Sequence, residues 1–293
     1  MPDTPAPRIC DYEGSDYRTR FWEGQGRTYE DLVERQVLRR LLPAGGQRLL
    51  EIGAGFGRLT AEYAMYDRVV LLDYSFSQLA YARQQLGDGR FIYVAADAYN
   101  LPFAPGAFDV ATMIRVLHHF ERVPEVLTGI RRVLAGGGHF ILEYASKRHL
   151  KAMLRYRLGR QDWSPFTPEP VEPVELNFNF HPAYIAAALQ QADLTTQQRI
   201  PVSFLRLGLL KRTLPAPLLA GVDRALQQTG WLVTPAVFTL NRAGGSPAAL
   251  PADLFACPQT GAPLRRDGDT LVNPAGTRWA IRDGIYDFKT PLP

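Results

Sequence analysis

A chain of 293 residues, 46% hydrophobic and 21% charged, has enough apolar material to bury a sizeable core, which excludes a disordered or low-complexity protein. Two cysteines, Cys10 and Cys257, exclude a disulfide framework and fit a reducing compartment, and no run approaches the roughly 18 apolar residues of a spanning helix. The opening MPDTPAPRICDYEG shows no apolar signal region, so a cytoplasmic location is expected, and a net charge of +4 permits an acidic partner without demanding one.

Residues 28–42, TYEDLVERQVLRRLL, carry apolar positions at helical spacing, acids early and arginines late, which predicts an amphipathic helix ending at Pro43 and Gly45–Gly46. Strands and helices then alternate: RLLEI, a helix from Gly57 to Met65, VVLLD, a helix SQLAYARQQL, FIYVAA, FDVATMI, a helix near 122–135, and HFILEYA. Short, almost unbroken apolar strands separated by helices predict an α/β fold, a doubly wound parallel sheet covered on both faces. After Tyr144 the rhythm breaks. A basic stretch and the proline-rich SPFTPEPVEPVELNF precede a helix, AYIAAALQQA, whose start His181 and Pro182 are expected to cap. A strand at 195–202, a helical insertion at 204–230 and a last strand, PAVFTLNRA, follow. The run AGGSPAALPAD reads as a linker, dividing a main domain over 1–245 from a short, separate β-rich unit over 250–293.

The turn after the first strand, LLEIGAGFGRLT, sets the chemistry. A dinucleotide fingerprint needs glycine at 58, where Arg58 stands, and a P-loop needs Gly-Lys-Ser/Thr, which is absent. An acid followed by three alternating glycines suits S-adenosylmethionine, which carries no phosphate. Glycines let the backbone approach its methionine part, and Glu51 can accept from its ammonium. Asp73 closes the second strand, where a carboxylate can grip both ribose hydroxyls. Asp97 follows the third, where it can accept from an adenine amino group beside the Ala98 amide. One acid at a strand end is as readily a helix cap; three successive strand ends carrying the right residue point to a ligand, and ligands in open α/β sheets sit at those ends.

Together LLEIGAGFGRLT, VVLLDYS, VAADAYNLPFAPGAFDVATMIRVLHHF and RRVLAGGGHFILEY resemble the seven-stranded S-adenosylmethionine-dependent methyltransferases, nearest the branch that includes ubiquinone and menaquinone biosynthesis methyltransferases, over residues 45–145. The resemblance implies a Rossmann-like, mostly parallel sheet of order 3-2-1-4-5-7-6, with the strand at 235–242 as the antiparallel seventh. It implies that Glu51, Gly53, Gly55 and Gly57 line the methionine side, Asp73 the ribose, and Asp97 with Ala98 the adenine. Ala54, Tyr74 and Arg115 complete the cofactor-binding set.

A sulfonium methyl is already electrophilic, so alignment supplies much of the acceleration, and a base is needed only for a hydroxyl or carbon acid. His118 and Arg115, after the fourth strand, are the candidate catalytic residues. His119 is an alternative base, either histidine can equally cap or pack its helix, and Arg115 can orient an acceptor or pair with Glu51. Residues 12–29, with Tyr17, Phe21, Trp22 and Tyr29, read as an apolar lid or as packing on the sheet edge. SKRHLKAMLRYRLGR, residues 146–160, reads as a basic helix with Leu150, Leu154 and Leu158 in one stripe. It suits an anionic membrane surface, RNA phosphates, or a solvated helix whose leucines pack down. With a small lipophilic acceptor, the stripe together with Tyr17, Phe21 and Trp22 is expected to wall a closed apolar pocket beside the transferable methyl while Lys147, Lys151 and Arg155 point outward.

ACPQTGAPL and AIRDGIYDF resemble the small zinc-ribbon-like family whose members partner and activate tRNA and protein methyltransferases. In relatives with metal, two C-x-x-C knuckles bind zinc. Here only Cys257 remains, with Thr260, Asn273 and Gly276 at the other places, so no bound metal is expected. Leu254, Phe255, Leu264, Leu271, Trp279, Ile281, Ile285 and Phe288 are left to hold this unit. The expectation is a methyltransferase acting on a small, lipophilic acceptor. The alternatives are an RNA or protein substrate, or a cofactor-binding assembly module without chemistry; oligomeric state is open.

Overall fold

The computed structural model describes residues 7–15, 19, 22 and 25–293. Tyr17 and Phe21, expected in the lid, lie outside the described residues. In chain order the elements begin with α1 (Thr28–Leu41), β1 (Gly46–Ile52), β2 (Tyr66–Asp73), α2 (Phe76–Leu86), β3 (Phe91–Ala95), β4 (Phe108–Met113), α3 (Val123–Val133) and β5 (Leu134–Ala145). Then come α4 (Leu150–Arg157), the small hairpin β6 (Val171–Val174) and β7 (Asn177–Asn179), α5 (Pro182–Gln191), β8 (Leu194–Val202), α6 (Gly208–Thr213), α7 (Ala216–Gln227) and β9 (Ala236–Ala243). The chain closes with β10 (Arg265–Asp267), β11 (Thr270–Val272), β12 (Arg278–Arg282) and β13 (Ile285–Leu292).

The central run β3-β2-β1-β4-β5-β9-β8 is the 3-2-1-4-5-7-6 order expected, with β9 antiparallel to both its neighbours. Successive residues of the apolar strands face opposite layers. Leu49, Val69 and Leu71 pack with α1, α2 and α7, whereas Leu50, Val70 and Leu72 pack with α3 and α5. Strands buried on both faces are why these stretches read as continuous hydrophobic runs. The order reverses between β1 and β4, so a crevice opens at their carboxyl ends.

Three expectations need correcting. The helix expected from Gly57 to Met65 is a turn followed by a single 3-10 turn, Thr60–Tyr63. Gly53, Gly55 and Gly57 all take positive φ, a left-handed course incompatible with an α-helix, and the chain then enters β2 at Tyr66. The sheet also has eleven strands rather than seven: β13 pairs in parallel with β3 through Ile285, Tyr286 and Asp287, and β10–β13 continue it as antiparallel neighbours. An unpaired edge on β3 would leave a row of backbone donors and acceptors exposed; β13 satisfies them while burying Ile285 and Phe288. Trp279, Phe288 and Leu271 consequently belong to the same core cluster as Phe103 and Phe108, with Phe255 stacked on Phe103 at 5.9 Å.

The third correction concerns the basic helix. Leu150, Leu154 and Leu158 are 64%, 60% and 57% exposed, so the stripe walls no pocket. Lys147, expected outside, is completely buried: its Nζ donates to the Glu169 carbonyl at 2.7 Å and to Thr167 Oγ1 at 3.3 Å, pinning the proline-rich loop. His181 caps α5 as expected, its Nδ1 accepting from the Ala183 N–H at 3.1 Å.

Candidate active site

A cleft of about 1020 Å³, its open mouth included, lies at the carboxyl ends of β1, β2, β3 and β4. Glu51, Gly53, Ala54, Gly55, Asp73, Tyr74, Asp97, Ala98 and Arg115 all line it. Gly57 and His118 are not among the lining residues.

The glycine turn is shaped by contact as much as by φ. Gly53 and Ala54 both donate to the Leu72 carbonyl, at 2.8 and 3.0 Å, which ties the turn to the end of β2. A Cβ on Gly53 would stand 2.2 Å from Val116 Cγ2, so a side chain there would drive the turn into the segment after β4. Gly57 faces the other way: its Cβ would meet Leu86 Cδ1 at 3.0 Å, and it sets how closely the turn packs on α2.

Three acids are oriented before any ligand arrives. Glu51 is buried, one oxygen accepting from Thr60 Oγ1 at 3.0 Å and the other from the Tyr63 hydroxyl at 3.2 Å. Burial lifts its pKa to about 7, against the lowering effect of those hydroxyls. Asp73 accepts from the Gly55 N–H at 2.7 Å and the Ser75 N–H at 2.9 Å. Burial still raises its pKa. Asp97 accepts from the Tyr99 N–H at 2.9 Å and from Asn100 Nδ2 at 3.2 Å. The residues fit S-adenosylmethionine in kind: three carboxylates able to accept from an ammonium, ribose hydroxyls and an adenine amine line one cleft, beside left-handed glycines with no side chain to fill it.

Arg115 does not pair with Glu51. It sits at φ +60°, and its N–H donates to Glu143 Oε2 at 2.8 Å. Its Nε donates to Glu34 Oε1 at 2.5 Å, while Arg58 Nη2 reaches Glu34 Oε2 at 2.7 Å. Burial alone would raise the Glu34 carboxyl, but the two guanidinium groups outweigh it and hold the pKa below the ordinary glutamate value. A left-handed non-glycine residue costs on the order of 1–3 kcal/mol and persists where the surroundings over-determine it, as two carboxylates do here. Trp22 lies between these cations, with the Arg58 guanidinium 3.7 Å and that of Arg115 5.1 Å from its ring centre.

The two histidines after β4 occupy different places. His119 lines the cleft with Tyr12, and its Nδ1 lies 2.8 Å from the Leu176 carbonyl. A carbonyl can only accept, so Nδ1 carries the proton and Nε2 is the acceptor, taking the Tyr12 hydroxyl at 3.3 Å. Burial lowers the pKa of His119, although the Leu176 contact opposes it. His118 packs against His119 at 4.0 Å between ring centres, and burial, with the nearby His119, Arg115 and Arg206, drives its pKa well down.

Sequence reasoning missed Glu34, Tyr12 and Glu143. Glu34 had a signal: with Glu30 it lies on the face of α1 that buries Val33 and Val37, an odd place for two acids unless cations meet them. Tyr12 and the Leu176 carbonyl had none, because only the fold brings residues 12, 119 and 176 together.

Part of this chain is similar to known proteins. Residues 50–142 match the family described as "Methyltransferase domain". The O-methyltransferase cnsE of Penicillium expansum is 32% identical over 151 residues, 48% of this chain and 55% of that protein. The ubiquinone/menaquinone biosynthesis C-methyltransferase UbiE of Vibrio parahaemolyticus is 35% identical over 116 residues, 37% of this chain and 45% of that one. The chain thus spans about half the length of the curated relatives it matches. The crystal structure of an S-adenosylmethionine dependent methyltransferase from Mesorhizobium loti superposes with a TM-score of 0.53 at 21% identity, covering 73% of this chain and 99% of the other, and shows the same fold. The match to a methyltransferase domain therefore rests on residues 50–142. No described helix is long and apolar enough to cross a membrane.

Proposed function

We propose that this chain methylates an ionisable oxygen or carbon acid of a small, lipophilic molecule, with His119 as the base. S-adenosylmethionine, when bound, supplies a methyl group already activated by its sulfonium. Glu51 would hold the methionine ammonium, Asp73 the ribose hydroxyls, and Asp97 with the Ala98 amide the adenine, with Ala54 and Tyr74 as neighbouring walls. Arg115, committed to Glu34 and Glu143, would act by holding the turn after β4 in place.

The observation carrying this reading is the fixed tautomer of His119. With Nδ1–H tied to the Leu176 carbonyl, the Nε2 lone pair belongs to the cleft side, where the Tyr12 hydroxyl stands in for an acceptor O–H. A residue in that state can take a proton as the acceptor attacks, a contribution on the order of 10²–10⁴ in rate. His118 lacks a place in the cleft wall and is read as a packing residue. An apolar acceptor is favoured by the wall of Ile9, Phe56, Leu59, Val116 and Phe120. The names of cnsE and UbiE, one an O- and the other a C-methyltransferase, are consistent with either acceptor atom. The test is a methyl-transfer assay on phenol- and enol-bearing small molecules with wild type, His119→Ala and His118→Ala. Equal loss in both variants, or in neither, would remove His119 from the role.

Residues 250–293 are read here as a metal-free relative of the zinc-ribbon partners, and residues 1–245 as the methyltransferase unit. Two tight turns face each other in the small unit. Gly261 N–H donates to the Cys257 carbonyl at 2.8 Å, Gly276 N–H to the Asn273 carbonyl at 3.0 Å, and Asn273 Nδ2 reaches Cys257 Sγ at 3.6 Å. The amide joins the two knuckles where a metal would otherwise do so.

A further inference from the structure

Three segments leave the sheet at the edge that carries the cleft: residues 146–160 after β5, residues 203–214 after β8, and the stretch before β9. β5 and β8 are both antiparallel to β9, hence parallel to each other and to β4, so their carboxyl ends share one edge. The segments also touch. The Leu150 N–H at the start of α4 donates to the Val233 carbonyl at 3.0 Å, and Arg206 is among the cations bearing on His149, the cap of α4.

Their outer faces are apolar and positive. Besides the α4 stripe, Leu207, Leu209, Leu218 and Trp231 are exposed, Leu209 by 74% and Trp231 by 67%. Lys151, Arg155, Arg157, Arg160, Arg212 and Arg224 are exposed with them, while Arg206, also exposed, is paired with Glu30 at 3.5 Å. Residues 146–161 contain no acid; the first to follow is Asp162. Within 203–231 the only acid is Asp223, which is completely buried and bonded to Tyr29 and Gln227. Unbalanced cations around bare leucines and a tryptophan match two layers of a lipid surface, anionic headgroups and the acyl boundary beneath them. A nucleic acid would satisfy the cations alone and leave the leucines in water.

We propose that this face docks on an anionic phospholipid bilayer, holding the edge of the cleft against it. The inference goes beyond the methyl-transfer reading and does not depend on it, since docking needs neither cofactor nor acceptor. The test is co-sedimentation of the full chain with vesicles of phosphatidylcholine, alone or mixed with phosphatidylglycerol, followed at rising salt. Binding is expected to the mixed vesicles only. Lys151→Gln/Arg155→Gln/Arg157→Gln should weaken it about a hundredfold, at about fivefold per cation. Leu150→Ser/Leu154→Ser/Leu158→Ser should weaken it about tenfold or more. All six side chains are on the surface, so an unchanged melting temperature and unchanged S-adenosylhomocysteine binding would confirm intact variants. Two results would overturn the proposal. One is no binding to the mixed vesicles by wild type; the other is retention on single-stranded RNA that the glutamine variant loses and the serine variant keeps, with vesicle binding indifferent to the leucines.

Discussion

The two halves of the cleft are built in different ways. On the cofactor side, each acid sits at the end of its own strand and is oriented by partners at most 18 residues away: Asp73 by Gly55 and Ser75, Asp97 by Tyr99 and Asn100, Glu51 by Thr60 and Tyr63. On the acceptor side, His119 depends on Tyr12 and on Leu176, and Arg115 on Glu34 and Glu143, partners far away along the chain. A site assembled from local motifs tolerates change elsewhere in the molecule. One assembled from distant segments is set by the fold and can be retuned by loops, which suits the half that must recognise an acceptor.

Substitutions at the two halves should therefore fail differently. The largest expected effect is on the acceptor side: His119→Ala should lower kcat by about 10²–10⁴, worth about 3–5 kcal/mol, with cofactor affinity unchanged. The pH profile sharpens the point. Burial lowers the His119 pKa, so the neutral base is present at neutral pH and activity should fall only on the acid side, below the ordinary histidine value of about 6.5. A limb above neutrality that His119→Ala abolishes would contradict this assignment.

Gly53→Ala should come next, through the cofactor side. It combines a left-handed backbone with a Cβ 2.2 Å from Val116, at about 2–5 kcal/mol of strain, and calorimetry should find S-adenosylhomocysteine binding severely weakened. Asp73→Ala should weaken that binding by about 1.5–3 kcal/mol, the scale of hydrogen bonds to a charged group. NAD should not bind.

Glu51 gives a subtler test. With a pKa of about 7 in the free protein, it is increasingly protonated as pH drops below 7, whereas a bound ammonium favours the carboxylate. Binding near and below neutrality should therefore release protons and weaken with falling pH. Calorimetry in buffers of different ionisation enthalpy would detect the release, and Glu51→Gln should abolish it. The smallest expected effect lies outside the cleft: a chelator should leave the melting temperature unchanged, and elemental analysis should find less than stoichiometric zinc. One tightly held zinc per chain would overturn the reading of Thr260, Asn273 and Gly276.

The same contrast explains what could be read from the sequence. The cleft positions of Glu51, Asp73 and Asp97 were legible because strand ends and glycine turns are local signals, whereas the strand order came only with the family resemblance that those motifs carry. Naming His118 ahead of His119 had no local signal behind it, since neighbouring positions in a 3-10 turn point in different directions and only the fold says which one meets the cleft. The helix expected after Gly57 does not form because the left-handed glycine turn leaves only a 3-10 turn before β2 begins at Tyr66. Lys147 read as a surface cation because nothing near it in sequence announces the Glu169 carbonyl that receives it. The pairing of β13 with β3 was hidden for a similar reason: a short β-rich tail looks self-contained until the edge it matches is known.

That pairing also dictates an order of events during synthesis. The outer edge of β3 is laid down early, yet its partner leaves the ribosome only after every other strand of the sheet. Until then the nascent chain presents an open strand, available to any other extended segment. Its vulnerable period is the interval between those two strands, so slowing translation late in the message should increase aggregation more than slowing it early.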